Sequence, residues 1–435
     1  MFFSYSSCSA CRSVLYSLHA ASSWVFNTPA VVFDEYALNL YALTRITEYS
    51  SRVYLYFWNP RLKRRGFGNF IIVSSYLHGV VGMGSIVLYR ERDGRVYTID
   101  EPLDSNLDLN TVRLELGLPE YVDLNQRTVR RAAATIWFSI NSPKLLAGSK
   151  NQPKEALYPL LIGGAAIKML CESANQEGNP FNRSIGDIDF VVSKKDGSKF
   201  IQVLLNMSSV AGRAYHYFVT EGDRMFNALR AGTRYRVRAV EGVADGEAVV
   251  KTTDVFVEKM ELRHTVKLED EDFRQAKPNI YTVGAEKLLL TKAQVITELD
   301  KKSLPELEAA GQAFRILNYP YYKDSKLVIG MEQKDMMDLC ALIHDRVLDV
   351  KSGPRLDPQR VSELLKKDQK FLLTVRLNLQ NILDRSDWLR SKGLSEHQIT
   401  KLNEATKSIL NALPNPDKKW DKPWWNTDVE TPVIT

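Results

Sequence analysis

Asp187 and Asp189 stand two residues apart in the run SIGDIDFVVS, Ser184 to Ser193. If that run is a strand, alternate residues face one way, so the two carboxylates share a face and Ile188 turns into the sheet. Two carboxylates held close repel unless a cation sits between them, and Mg²⁺ favours oxygen ligands together with substrate phosphates. Just upstream, Tyr158 to Ile162 reads as a short apolar strand, Gly163 and Gly164 as a turn, and the following residues as an amphipathic helix carrying Ile167, Met169 and Leu170. Glycines at a strand-to-helix turn let a phosphate approach the backbone, and the free N–H groups of the helix start attract its charge. Lys168 lies on the helix that begins at those glycines, so its ammonium is expected to reach the phosphate. A third acid, Asp254, enters the strand TTDVFVE, where period two puts Asp254, Phe256 and Glu258 on one side. Together these residues imply a metal-dependent nucleotide site.

The elements around them give the chain its organisation. Asp123 to Asn141 reads as a helix capped by Asp123 or Asn125, with Val129, Ala132, Ala133, Ile136, Trp137 and Ile140 on one face. Phe200 to Met207 and Arg224 to Arg230 are helical segments. Between Thr233 and Val240, Arg234, Arg236 and Arg238 alternate with Tyr235 and Val237, so three guanidiniums line one face of a strand. They suit a row of phosphates and suit equally the solvent face of an ordinary strand. Beyond Tyr281 the pattern turns helical, over Glu286 to Leu299, Lys334 to Leu348, Gln359 to Leu383 and Ser395 to Leu413. Pro414, Pro416 and Pro423 end regular structure, and Trp420, Trp424 and Trp425 are expected to pack back onto the body or a partner.

The N-terminal part is strand-rich. Val53 to Trp58, Asn69 to Ser75 and Ser85 to Tyr89 are strand candidates, and Asp93-Gly94 marks a hairpin turn that needs positive φ. The cluster Arg61, Lys63, Arg64, Arg65 follows Tyr54, Tyr56, Phe57 and Trp58. It reads either as a nucleic-acid contact with stacking rings or as a solvated loop beside core aromatics. Gly84-Ser85 mimics a nucleotide-binding turn, but no paired-Asp strand follows it.

The whole chain bounds these readings. Its 435 residues are 44% hydrophobic and 25% charged, and Lys plus Arg exceed Asp plus Glu by 58 to 52, for a net charge of +6. That excess permits a polyanionic partner without demanding one. No run of about twenty apolar residues implies a membrane span. The N-terminus lacks the basic region of a signal peptide, and four cysteines form no disulfide framework. The lone Cys8/Cys11 pair has no second pair with which to hold zinc. The cytoplasm is the expected compartment. The fold class expected is α/β (α+β), a mixed sheet carrying the site followed by a helical C-terminal part. The expected domains are a strand-rich accessory domain over 1–123, a core over 124–280, a helical part completing the nucleotide site over 281–350, and C-terminal helices with a Trp/Pro-rich tail over 351–435.

The ordered series GGAAIKML, RSIGDIDFVV, FNALR, TTDVFVEKMELRHTV, AEKLLLTKAQ and KDMMDL resembles the nucleotidyltransferase superfamily, specifically its AbiEii/AbiGii-type toxin branch from abortive-infection toxin–antitoxin systems. The resemblance runs from about Leu157 to Leu348. It implies the minimal nucleotidyltransferase fold. It also implies that Gly163 and Gly164 cradle the triphosphate of an NTP, and that Asp187, Asp189 and Asp254 bind two Mg²⁺ ions, for which Mn²⁺ could substitute, with Asp254 helping to deprotonate the acceptor. Arg183 matches a basic position before the acidic strand. Lys292, Lys334 and Asp335 match later motifs that close over the nucleotide. The branch's acceptor is RNA, particularly a tRNA 3′ end, and a cognate antitoxin is the implied protein partner. Gly-Gly in place of the commoner Gly-Ser removes a hydroxyl contact, and the loop between Gly164 and Asp187 and the insertion Lys301 to Met331 are long. Protein or small-molecule nucleotidylation, and a non-catalytic nucleotide- or nucleic-acid-binding module, are the competing readings. No Ser-His-Asp set, HExxH, P-loop or dinucleotide fingerprint is legible, and His264 is expected to satisfy a local hydrogen bond.

Overall fold

The computed structural model describes residues 41–45, 52–58, 71–76, 85–244, 247–294, 297–300, 316–317, 326–329, 331–348, 350, 353–416 and 424–426. The chain divides into two compact units, Met1–Pro102 and Leu103–Thr435. In the first, β1 (Tyr41–Arg45), β2 (Arg52–Trp58) and β3 (Ile71–Tyr76) form an antiparallel sheet in that order, with Leu43 opposite Tyr56 and Leu55 opposite Val73. β4 (Ser85–Arg90) and β5 (Val96–Asp100) pair as a hairpin, with Gly94 at φ 90 in the turn and Asp93 accepting from the Arg95 amide at 3.1 Å. The basic cluster Arg61, Lys63, Arg64 and Arg65, Cys8, Cys11 and Trp420 lie outside the described residues.

The second unit begins at Leu103, so residues 103–123 pack with it, twenty-one residues ahead of the expected boundary. Helix α1 (Leu109–Leu116) is capped by Asp108, whose carboxylate accepts from the Asn110 and Thr111 amides. The Tyr121 hydroxyl donates to Leu170 O at 2.8 Å and accepts from Arg346 at 2.9 Å. Helix α2 (Arg127–Leu145) starts four residues later than the expected helix; its N-cap is Gln126, which makes no side-chain capping bond. Its buried stripe of Val129, Ala132, Ala133 and Ile136 is the one the spacing indicates, with Trp137 and Ile140 half-buried at its edge.

The central sheet is mixed. Its strands are β6 (Leu160–Ile162), β7 (Asp189–Val192), β8 (Tyr217–Phe218), β9 (Arg234–Ala244), β10 (Glu247–Val257), β11 (Lys259–Glu261) and β12 (Thr265–Lys267). β7 runs parallel to β10, and β6 with β7, β10 with β9, β9 with β8, β10 with β11 and β11 with β12 are antiparallel. The connection from β6 to β7 carries α3 (Gly163–Leu170) and the loop of residues 171–188. Between β7 and β9 lie α4 (Gly197–Asn206), the turn of helix α5 (Ser208–Ala211) and α6 (Glu221–Leu229), the last held by a Thr220/Asp223 capping box.

The helical part follows with α7 (Asp270–Arg274), α8 (Ala285–Ala293), α9 (Gln333–Arg346), α10 (Pro358–Leu365), α11 (Gln369–Asp384), α12 (Ser386–Ser391) and α13 (Glu396–Ala412). Two expectations are corrected here. The helix expected to run to Leu299 stops at Ala293, and β13 (Thr297–Asp300) pairs instead with β15 (Lys326–Ile329), which also takes β14 (Ile316–Leu317). The helix expected over Gln359 to Leu383 is two helices, because the Asp368 carboxylate accepts from the Phe371 amide at 2.9 Å and starts a new one. One continuous core joins the sheet to these helices, through Leu160, Phe190, Val255, Leu288, Leu339 and Leu372 among others. No helix among the described residues is long and apolar enough to cross a membrane.

Candidate active site

The glycine pair is fixed by two different constraints. Gly163 has φ 68, a left-handed backbone that side chains disfavour. Gly164 has no such torsion, but a Cβ there would lie 2.6 Å from Arg183 Nη2 and 2.9 Å from Ile185 Cδ1. The helix α3 starts directly at these residues, capped by Ile162 without any side-chain bond, so the cap residue gives its first N–H groups no acceptor. A Cβ on Gly163 would sit 3.4 Å from Asp189 Oδ2, so only a glycine leaves the space between the turn and the acid open.

Sheet register brings the acids together. Ile162 on β6 faces Asp189 on β7, and the parallel register of β7 and β10 (Phe190 with Val255) makes Asp254 the neighbour of Asp189. The Asp254 amide donates to Asp189 Oδ1 at 3.4 Å. Asp189 opens β7, whereas Asp187 is exposed and lies in the irregular segment before it rather than within the strand. Burial, and then the charges of Asp187 and Asp254, push the Asp189 carboxyl well above the usual carboxylate range.

Asp254 is held by arginines. It faces Arg236 across β9; Arg236 Nε donates to its Oδ1 at 3.0 Å, and Arg234 pairs with its Oδ2. Arg238 pairs with Asp223 of α6, Nε to Oδ2 at 2.9 Å. The row Arg234, Arg236, Arg238 is therefore committed to carboxylates and is not an open phosphate-binding face, because α6 and β10 bring acids to it from elsewhere in the chain. Arg236 also lies over the Phe226 ring at 4.3 Å, and Arg234 over Phe256 at 4.8 Å. These rings with Arg230, Arg234 and Lys259 line a cleft of about 290 Å³ beside Asp254.

Behind the turn lies a buried ion network. Arg183 grips Asp338 with two bonds, Nε at 2.6 Å and Nη2 at 2.5 Å, and Lys292 Nζ reaches Asp338 at 2.7 Å and Asp335 at 2.9 Å. Burial would raise the Asp338 carboxyl, but Lys292 and Arg183 hold it below the usual range; Lys292 is held above the usual lysine value by Asp335 and Asp338 in spite of its burial. Sequence reasoning missed Asp338. Its signal was the three-residue spacing from Asp335, which puts both acids on one face of α9.

Lys168 is corrected. It falls in the last turn of α3, five residues and about 7.5 Å along the axis from its start. The residue is 1% exposed, and its Nζ is bonded to Ala174 O and Asn182 Oδ1. It ties down the loop of residues 171–182, and burial followed by the charge of Arg183 lowers it to about 8. Lys334 is exposed, 3.5 Å from Glu332. His264 has the local role expected, with Nε2 at 2.8 Å from Thr374 Oγ1 and its ring stacked on Phe371.

As placed, no group of three or more His, Cys, Asp or Glu side chains among the described residues is arranged to hold a metal ion. Asp187 and Asp189 nonetheless fit a hard divalent cation, since they are oxygen donors in mutual repulsion and Asp189 is disfavoured as a bare anion. Asp254 fits one only by exchanging its arginine pairs. No family model matches this chain, and no curated protein does.

Proposed function

We propose that the Leu103–Thr435 unit is a metal-dependent nucleotidyltransferase that moves an NMP group from an NTP to a hydroxyl of an RNA acceptor, with a tRNA 3′ end as the leading candidate. The observation that carries the reading is the nearness of the Gly163-Gly164 helix start, one missing Cβ away, to an Asp189 carboxyl crowded by Asp187 and Asp254. A phosphate-accepting turn and a cluster of acids short of cation are the two halves of a nucleoside-triphosphate site.

In the reaction, the acceptor oxygen bonds to the α-phosphorus in line with the leaving oxygen, the α–β bridge breaks, and pyrophosphate departs with its electron pair. Mg²⁺, as two ions or replaced by Mn²⁺, would supply the positive charge that acidifies the hydroxyl and stabilises the leaving oxygens. Asp187 and Asp189 would hold it. The unpaired N–H groups at the start of α3 hold the triphosphate, and the glycines leave the backbone open to it. Asp254, once released by Arg234 and Arg236, is the residue that would complete the acid set and take the hydroxyl proton. Arg183, Lys292 and Asp338 keep the turn and α9 in register behind the nucleotide. The same reading makes the chain a growth-arresting toxin acting in the cytoplasm under control of an antitoxin.

The test incubates the purified chain with each α-phosphate-labelled NTP, Mg²⁺ and total RNA. Label should enter a tRNA-sized band and fall at least about a hundredfold with Asp187→Ala or Asp189→Asn, the scale of losing one electrostatic stabiliser. Equal labelling by both variants would sink the assignment, and label on protein would redirect the acceptor.

A further inference from the structure

A second cleft, of about 420 Å³, opens at the first turns of α2. Arg127, Arg130 and Arg131 line it from the helix, Tyr215 from the turn before β8, and Glu241 and Gly242 from β9. Glu241 is five residues along β9 from Arg236, roughly 17 Å at the rise of a strand, so the cleft is separate from the acid cluster around Asp254.

Its charge is unbalanced. Glu241 is the one acid among the described lining residues, and it is already bonded by Arg131 Nε and the Thr128 hydroxyl, each at 3.2 Å. Arg131 Nη2 donates to Ala214 O at 2.6 Å, and its guanidinium lies over the Tyr217 ring at 5.4 Å. Yet the residue is 4% exposed, and its Nη1 is buried with no hydrogen-bond partner among the described residues. A buried guanidinium donor without an acceptor is costly, and a solvated basic face would not bury one. The Arg127 and Arg130 side chains have no carboxylate or carbonyl partner among the described residues. Gly242 is what admits Arg127: a Cβ there would collide with its Nη1. The helix behind them is nineteen residues long and has no side-chain cap, so its dipole and its unpaired first-turn N–H groups add to the positive field.

Guanidinium forks converging on one helix start match the oxygens of a phosphate group, which accept several donors at once. We propose that this cleft binds a phosphate group, and that its occupant is a backbone phosphate of the RNA acceptor, seated away from the reacting end. The choice of RNA rests on the nucleotidyl-transfer reading, whereas phosphate recognition rests on the cleft alone.

The experiment measures binding of a fluorescently labelled, tRNA-sized RNA to the full chain over a salt series, without NTP or Mg²⁺. It compares the unaltered protein with Arg127→Gln/Arg130→Gln. Both arginines keep their side chains at the surface of the cleft, and an unchanged melting temperature for the double variant shows that it folds. Expected is a loss of roughly tenfold in affinity for the double variant, with the slope of log K against log salt reduced by about one, since each lost phosphate contact removes close to one released counterion. Equal affinity and slope for the double variant would overturn the proposal. A parallel arm titrates inorganic phosphate against thermal unfolding. If phosphate stabilises the unaltered protein but not the double variant while RNA binding is the same in both, the phosphate site stands and the RNA occupant is overturned. Absence of label transfer by the unaltered protein in the labelled-NTP assay, with RNA binding intact, would overturn nucleotidyl transfer and leave the cleft as a phosphate site.

Discussion

At the scale of single residues, Asp189 is where the chain carries electrostatic conflict. Its carboxyl sits beside two others, with one long hydrogen bond from the Asp254 amide. An acid whose folded-state value is raised binds its proton more tightly folded than unfolded, so its ionised form costs stability at any pH above that raised value. The cost shrinks as pH falls toward the ordinary value of 3.8. Asp189→Asn keeps an oxygen to accept from the Asp254 amide and removes the charge. In metal-free buffer at pH 7 it should therefore melt higher than the unaltered protein while losing transfer activity, and the gap should close near pH 4. Added Mg²⁺ should raise the melting temperature of the unaltered protein more than that of the variant. A variant no more stable at pH 7 would show that Asp189 is an ordinary solvated strand end. Stability gained by removing a working group is the trade expected of a functional site.

At the scale of elements, the acids of α9 are what join the helical part to the loop before β7. Asp338 answers two cations, Arg183 from the loop and Lys292 from α8, and is 3% exposed. Asp338→Ala leaves Arg183 without its carboxylate and Lys292 with Asp335 alone, which should cost about 3–5 kcal/mol by urea unfolding; a change below about 1 kcal/mol would mean that water replaces the carboxylate freely. This network also marks the limit of what was legible. The Gly163-Gly164 turn, the closeness of Asp187 to Asp189, and the buried stripe of α2 follow from local period and spacing. Pairings made by distant segments do not. Arg234 and Arg236 meet an acid from the next strand, Arg238 meets one from α6, and Thr297–Asp300 becomes a strand only because Lys326–Ile329 lies beside it. The start of α11 was missed for a smaller reason: an Asp cap inside an apolar run looks like a polar residue on a helix face until its bond to an amide is seen.

At the scale of the Leu103–Thr435 unit, the tail is tied back to the body by Asn426, which exchanges hydrogen bonds with Arg263, and at the Thr374 hydroxyl. Trp424 and Trp425 pack edge to face with centroids 4.9 Å apart, and both are buried. Trp424 Nε1 donates to Thr374 Oγ1 on α11 at 2.9 Å, and His264, next to β12, meets the same oxygen through Nε2. With the indole N–H occupying a lone pair, the Thr374 proton is best given to His264 Nε2, which requires that nitrogen to be unprotonated. The alternative acceptor, Lys370 O, is 3.4 Å away, a longer bond. Burial then holds His264 down to about 4 from its ordinary value of 6.5. A histidine whose folded value is depressed contributes stability that is present above 6.5 and is lost as pH falls toward 4. The shift corresponds to roughly 3 kcal/mol over that window. Urea unfolding from pH 7 to pH 4 should show such a decline in the unaltered protein. His264→Phe keeps the stack on Phe371 and removes the titrating nitrogen, so its stability should decline less over the same range. It should also start lower at pH 7, because Thr374 loses its acceptor. Parallel curves for the two proteins would place the acid sensitivity elsewhere and reduce the Thr374 junction to packing alone.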